Sequence, residues 1–447
     1  MKQATAVEPA GKTVSAGPGG SVSGVVTVPG DKSMSHRSVM MASIADGVSH
    51  IEGFLAGEDS LNTVAAFRSM GVVIDQTAPT SLTVHGVGMD GLKQPDTDLY
   101  MGNAGTGMRL IAGVLAAQKF NTVLTGDESL SRRPMGRIID PLTMMGAKIK
   151  GDEKGRPPLQ ITAPDRLHSI EYPLPMASAQ VKSCVLLAGL FAQGTTSVVE
   201  PAVTRDHTER MLRGFGYQVT SADVGKVSLK GGGTLKACDM NIPADISSAA
   251  FLMVAATIAK DADITLTNIG INPTRTGVID ILQLMGADIE LQNTRQSGDE
   301  PVADIRVRSA ELKGVAIPES LVPLAIDELP VVFIAAAVAN GTTTVTGAEE
   351  LRVKESDRID AMAAGLKTLG VDALATTDGM VINGGSIGGG TVETFFDHRI
   401  AMAFCIASLR SNAPVVIKDT QHVETSFPGF FKLCSQIGLN INEASEA

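Results

Sequence analysis

The sequence predicts an α/β protein of two similar domains, and two periodicities together with chain length carry that prediction. An apolar or Ala-rich helix that opens on polar or charged residues recurs six times, near Asp31, Gly102, Ala177, Asp245, Ile326 and Asp397, at separations of 71, 75, 68, 81 and 71 residues. Six amphipathic helices alternate with these, each ending in a hydrophobic residue and a glycine. Those glycines, Gly71, Gly146, Gly216, Gly286, Gly370 and Gly438, repeat at 75, 70, 70, 84 and 68 residues. A period near 70 is too long for a solenoid repeat and describes compact subdomains. Six units over 447 residues exceed one core, so three plus three is the natural division.

Taken in order, residues 1–20 contain no apolar segment of the kind a secretory signal requires and read as a flexible tail. VVTVPGDKS (25–33) precedes the first unit and ACDMNIPADISS (237–248) separates the third from the fourth, so these are the two crossings between domains. The domains are then 31–245, and 21–30 with 246–447. Within each unit a polar helix start leads into a buried helix. GNAGTGMRLIAGVLAA (102–117) is the clearest: its glycines allow close backbone approach, and a helix N-terminus offers free N–H donors to an anion. A glycine-tolerant turn before a buried helix explains that one stretch equally well; the recurrence is what favours a ligand site. Strand signals follow in GVVTVPG, TSLTVHGV, FNTVLTG, TSVVEP, ITLTNIG, TTTVTGA and APVVIKD. After each amphipathic helix, glycine supplies the left-handed C-cap that turns the chain into a strand. Each unit thus reads strand-helix-strand-helix-strand, with one buried and one surface helix.

Composition narrows the function. The chain is 44% hydrophobic but only 4% aromatic, without Trp and with 47 Gly, which suits a core of closely packed small side chains. A net charge of -11 argues against nucleic acid or an anionic membrane as the main partner. The longest apolar runs, such as Ala249 to Ala259, fall short of the roughly 20 residues that span a bilayer. Cys184, Cys238, Cys405 and Cys434 have neither zinc nor dithiol spacing and read as reduced thiols of a cytoplasmic protein.

The helix starts carry the chemistry. They present Lys32, Ser33, His36 and Arg37; Asn103, Thr106 and Arg109; Ser178, Gln180 and Lys182; Asp245, Ser247 and Ser248; Asp327 and Glu328; and Asp397, His398 and Arg399. The surface helices add SRRPMGR (131–137), TRDHTER (204–210), NPTRTG (272–277) and RVKESDR (352–358). Cations dominate, as a site for polyanionic substrates requires: Arg grips carboxylate and phosphate bidentately, and Lys acts as a point charge or proton donor. Asp327, Glu355 and His398 are the proton-handling candidates. Helix capping or ion pairing accounts for Asp245, Ser247, Ser248, Asp357 and Asp397, and a structural hydrogen bond for His36. The phosphate loop, dinucleotide fingerprint, nucleophile elbow and zinc pair are all missing, so neither a redox cofactor nor a catalytic metal is expected.

GDKSMSHR, GNAGTGMR, RRPMGR, SAQVK, RDHTE, NPTRTG, IDELP, LRVKESDR and DHRIAM, in that order from about residue 22 to 430, resemble the 5-enolpyruvylshikimate-3-phosphate synthase family, in the subgroup often called class II. The resemblance implies two domains of three βαβαββ units each, the inside-out α/β barrel of enolpyruvyl transferases, with the active site in the interdomain cleft. It implies transfer of the enolpyruvyl group of phosphoenolpyruvate to the 5-hydroxyl of shikimate 3-phosphate, by a monomer. On the matching positions, Lys32, Ser33, Arg37, Ser178, Ala179, Gln180, Arg205, Asp327 and Lys354 would hold shikimate 3-phosphate. Lys32, Gly105, Arg133, Gln180, Arg358 and Arg399 would hold phosphoenolpyruvate. Asp327 would assist loss of the 5-hydroxyl proton, and Lys32 with Glu355 would handle the methylene proton through a tetrahedral intermediate. Gly105 would leave room for the inhibitor glyphosate. Thr425, in ETSFPGF, stands where many members carry a lysine. Two rivals share the expected architecture: the transferase acting on UDP-N-acetylglucosamine, which typically presents a loop cysteine, and a non-catalytic anion binder.

Overall fold

A computed structural model describes residues 11–223 and 225–443. Six long apolar helices form the interior: Lys32–Ser43, Gly105–Leu115, Ala179–Gly189, Ile246–Ile258, Leu329–Val338 and His398–Ala407. They are buried nearly all round; every residue of Ile246–Ile258 is buried. Six outer helices, Glu58–Ser69, Gly136–Met144, His207–Gly214, Gly277–Met285, Arg358–Thr368 and Phe430–Ile437, bury one face each. All six glycines that follow them have φ between 77° and 112°, the left-handed conformation expected of a C-cap.

Among the described residues six small sheets accompany the helices, and five share one strand order. In Leu99–Tyr100, Thr122–Thr125, Leu159–Thr162 and Lys148–Lys150, the first pair is parallel and the next two are antiparallel. The unit is therefore βαβαββ, one strand longer than the strand-helix-strand-helix-strand reading. The sheet of Thr342–Val345, Met380–Asn383 and Asp372–Ala375 has only isolated bridges in place of the parallel edge strand. The six sheets remain separate, and none closes into a barrel among the described residues.

Two hydrophobic cores result, one drawn from Met34 to Ile242 and the other from Val14 to Val28 together with Ala244 to Leu439. Each crossing lends a strand to a sheet: Ser23–Val26 runs parallel to Asp263–Gly270 in the second half, and Leu235–Lys236 and Met240–Asn241 run parallel to Ala45–Glu52 in the first.

One expectation is corrected. Val14–Gly20, read as part of a flexible tail, is a strand paired antiparallel with both Val415–Ile417 and Leu439–Glu443, and it buries Val14 and Ala16. Among the described residues the sixth unit has no fourth strand of its own, and the N-terminal segment fills that place. Residues 1–10 of the expected tail lie outside the described residues. No described helix is long and apolar enough to cross a membrane.

Candidate active site

The inner helices bring their first residues together between the two cores, and capping fixes how. Asp31, Ser178, Asp245 and Asp397 accept the backbone N–H of Met34, Val181, Ser247 and Arg399, as Asp and Ser do at an N-cap. Lys32 is consequently the first residue of its helix and Arg399 the second of its own, while Gly105 opens its helix without a side-chain cap. Each such end adds partial positive charge to the side-chain cations.

Two adjoining pockets occupy this place. One is lined by Ser178, Ala179, Arg205 and Asp327, the other by Lys32, Asp59, Gly105, Arg133 and Glu355. Gln180 and Lys354 belong to both. Both halves contribute walls and touch across the gap: Arg133 Nη1 donates to Glu355 Oε1 at 3.2 Å, Arg137 Nη1 to Glu350 Oε1 at 2.9 Å, and Arg205 to Asp327.

Cations surround both central carboxylates. Lys354 Nζ and Arg358 Nη1 each stand 3.4 Å from Asp327 Oδ1, and Arg399 Nη1 donates to the Asp327 carbonyl at 2.7 Å. Arg358 is fully buried and donates to Glu355 Oε2 at 2.6 Å and Asp397 Oδ2 at 2.8 Å. Burial alone would raise both carboxyls. Lys354, Arg205, Arg399 and Arg358 outweigh it at Asp327, and Arg358, Arg133 and Lys32 outweigh it at Glu355, so both are held well below the usual carboxylate range. His398 is driven the other way, by burial first and then by Lys32, and stays neutral. Arg109 donates to Gln180, whose Nε2 donates to Thr106 Oγ1 at 2.8 Å, which locks the amide between the pockets. The arrangement is chemically suited to polyanions, and its ionised carboxylates would act as bases if a ligand drew their cations away.

Some anticipated residues lie elsewhere. Lys182, expected among the cleft cations, is buried against Glu200 at 2.9 Å and Glu209 at 2.8 Å, and donates to the Thr204 carbonyl at 3.3 Å. Arg37 donates to the Ser33 carbonyl at 2.9 Å, Thr208 Oγ1 at 2.7 Å and Ser183 Oγ at 2.8 Å, behind the pockets. Two of its five N–H donors remain for a ligand. His36 bonds Thr63 Oγ1 at 2.8 Å in the core. Thr425 bonds the His422 carbonyl at 2.7 Å.

Residues 17–433 match the family model described as EPSP synthase (3-phosphoshikimate 1-carboxyvinyltransferase). The chain belongs to the EPSP synthase family. The 3-phosphoshikimate 1-carboxyvinyltransferase of Methylococcus capsulatus is 59% identical over 426 residues, covering 95% of this chain and 97% of that protein. The enzyme of that name from Hydrogenovibrio crunogenus is 57% identical over 430 residues, covering 95% and 97%. The EPSP synthase structure from Acinetobacter baumannii superposes with a TM-score of 0.87 at 55% identity, covering 97% of this chain and all of that one. The fold is accordingly that of the EPSP synthases.

Within this member of the EPSP synthase family, sequence reasoning missed Asp59 and Glu350. Asp59 is buried and pairs with Lys32 Nζ at 3.0 Å. In the sequence it is one of two acids in the first turn of an outer helix, a place where acids ordinarily serve the helix dipole. Glu350 receives Arg137 and lies 3.8 Å from Lys354, but reads as one acid of a surface GAEEL stretch. The four cysteines are unpaired, and none lines either pocket.

Proposed function

We propose that this protein transfers the enolpyruvyl group of phosphoenolpyruvate to the 5-hydroxyl of shikimate 3-phosphate, releasing inorganic phosphate. The observation that carries the reading is the pair of adjoining pockets. One holds most residues anticipated for the acceptor, the other holds Lys32, Gly105 and Arg133 anticipated for the donor, and Gln180 and Lys354 stand at their junction. Neighbouring anion sites bring two reactants into contact, which supplies much of the rate of a bimolecular transfer.

In the proposed reaction the two substrates' anionic groups take over Arg205, Lys354, Arg133, Arg358 and Arg399. Asp327 loses counter-ions and becomes basic enough to accept the 5-hydroxyl proton. The hydroxyl oxygen bonds to C2 of the donor while Lys32 delivers a proton to the C3 methylene, giving a tetrahedral intermediate. Glu355 then removes a proton from the new methyl group as the C2–O bond to phosphate breaks. Helix N-termini and arginines stabilise the charge on the departing phosphate. The two halves act as domains, 31–245 and 21–30 with 246–447, that close on the ligands and exclude water. Because both pockets are completed within one chain, a monomer suffices; four free thiols support a cytoplasmic setting.

Absence of a pocket cysteine weighs against the sugar-nucleotide reaction, and the two part-buried carboxylates among the cations weigh against a mere anion binder. Phosphate release from phosphoenolpyruvate is the test, with shikimate 3-phosphate and UDP-N-acetylglucosamine as alternative acceptors. Release with the first alone is expected; release with the second alone, or with neither, overturns the reading.

A further inference from the structure

One buried arginine outside both pockets joins the two crossings of the chain. Asp31 and Asp245 hold equivalent positions, in PGD and PAD, and each caps an inner helix. The crossings are tied reciprocally, Asp31 N to the Pro243 carbonyl and Asp245 N to the Pro29 carbonyl, both at 2.9 Å. Two buried carboxylates from opposite halves therefore face one site. Arg275 fills it: Nη1 donates to Asp31 Oδ2 at 2.9 Å, and Nη2 to Asp245 Oδ1 at 3.2 Å and Ser247 Oγ at 2.7 Å. The same guanidinium stands 3.7 Å from Glu328 Oε1 and 3.2 Å from His207 Nε2.

The connections run on toward the pockets. Asp31 directly precedes Lys32, and Glu328 directly follows Asp327. His207 Nδ1 bonds Glu300 at 2.7 Å, and Asn272 donates to Glu300 at 2.9 Å and to Asp206 at 2.7 Å, the residue after Arg205. Burial and then the charge of Asp31 push Asp245 up, while at Asp31 burial is outweighed by Arg275 and His207. The two acids thus compete for one cation, and without it their mutual repulsion would act directly on the angle between the halves.

We propose that Arg275 is a positioning residue for the transfer, resting on the roles given above to Lys32 and Asp327: it sets the angle of the two halves at the crossings, and through Asp31 and Glu328 the spacing of Lys32 from Asp327. It lines neither pocket.

The test is a cycle of Arg275→Met, Asp245→Asn and the double variant, with Arg275→Lys alongside, each assayed for kcat and both KM values on folded protein. Arg275→Met is expected to lower kcat roughly tenfold or more and to raise both KM values. Adding Asp245→Asn, which keeps an N-cap, is expected to restore kcat severalfold by removing one unpaired buried carboxylate. A merely structural arginine predicts the reverse, with the second substitution deepening the loss, and that result overturns the proposal. So does wild-type kcat in Arg275→Met. If that variant fails to fold, Arg275→Lys carries the test: lacking the fork, it is expected to lose about threefold or more in kcat, and wild-type kcat overturns the proposal. Small-angle scattering separates this proposal from the functional reading. A larger radius of gyration in ligand-free Arg275→Met, reversed in the double variant, is expected even if no enzymatic turnover is found. An unchanged radius overturns the pivot.

Discussion

Gly105→Ala should weaken donor binding while leaving the fold intact, because the added methyl meets the end of one side chain, Arg133, and no backbone. A Cβ built at Gly105 lies 2.8 Å from Arg133 Nη1 and 3.7 Å from Leu130 Cδ1. Reaching ordinary contact requires the guanidinium to retreat by roughly 0.6 Å. Arg133 is held by Glu355 at 3.2 Å, by Asn103 and by Ser129 at 3.3 Å, so it cannot retreat without loosening these or its grip on a ligand. A charge-assisted hydrogen bond lost in this way is worth about 1.5–3 kcal/mol, or roughly ten- to hundredfold in the KM for phosphoenolpyruvate. Gly105 opens a helix at negative φ, so alanine should leave the fold intact, its helix-propensity gain of at most about 1 kcal/mol being offset by the loosened Arg133 contacts. Glyphosate should lose more than the donor, since the new methyl narrows the space the inhibitor would occupy. Competition kinetics and thermal unfolding read all three quantities. An unchanged donor KM with a lowered melting temperature would refute the argument, and equal losses for the two ligands would refute its inhibitor part.

Three further outcomes follow from the same geometry. Asp327→Asn should lower kcat by about a hundredfold or more, and, because it leaves Lys354, Arg205 and Arg358 facing one another, added phosphate should raise its melting temperature more than that of the wild type; equal shifts would contradict the charge balance. Asp59→Asn frees Lys32 from its buried partner and should cost about 1.5–3 kcal/mol in kcat/KM, read by steady-state kinetics, with wild-type values as the contrary result. His36, brought down to about 3 by burial, Lys32 and Arg37, is neutral when folded but protonates near 6.5 when unfolded. Its contribution is therefore complete above pH 6.5 and is lost as pH falls toward 3, at about 1.4 kcal/mol per unit. Urea unfolding between pH 7 and 5 should show a shallower acid slope in His36→Gln, and parallel slopes would contradict it.

The fold was legible wherever local chemistry dictates it. Six C-cap glycines and the Asp31, Ser178, Asp245 and Asp397 caps announce their helix ends without reference to the rest of the chain. The strand Val14–Gly20 was not legible: VSAGPGG has only two apolar residues on its buried side, and its partners lie some four hundred residues away. The cations of the cleft stood out because so many of them open helices. Their partners did not, since Asp59 and Glu350 look like ordinary surface acids until the tertiary fold buries or bridges them. Lys182 shows the converse, a helix-start cation that points inward to Glu200 and Glu209 instead of into the cleft. Spacing along the chain does not encode that choice; packing of the outer helix His207–Gly214 does.

Proton NMR of phosphoenolpyruvate with shikimate 3-phosphate in deuterated water, comparing wild type with Glu355→Gln, follows the proposed transfer and its proton movements in one experiment. The wild type is expected to give vinyl-ether signals of the 5-linked product, equimolar free phosphate, and partial deuteration of the vinyl group because the methylene carbon gains and loses a proton. Glu355→Gln is expected to slow both product formation and deuterium uptake strongly. Product formed with a wholly undeuterated vinyl group, or at wild-type rate in Glu355→Gln, would contradict the proposed mechanism.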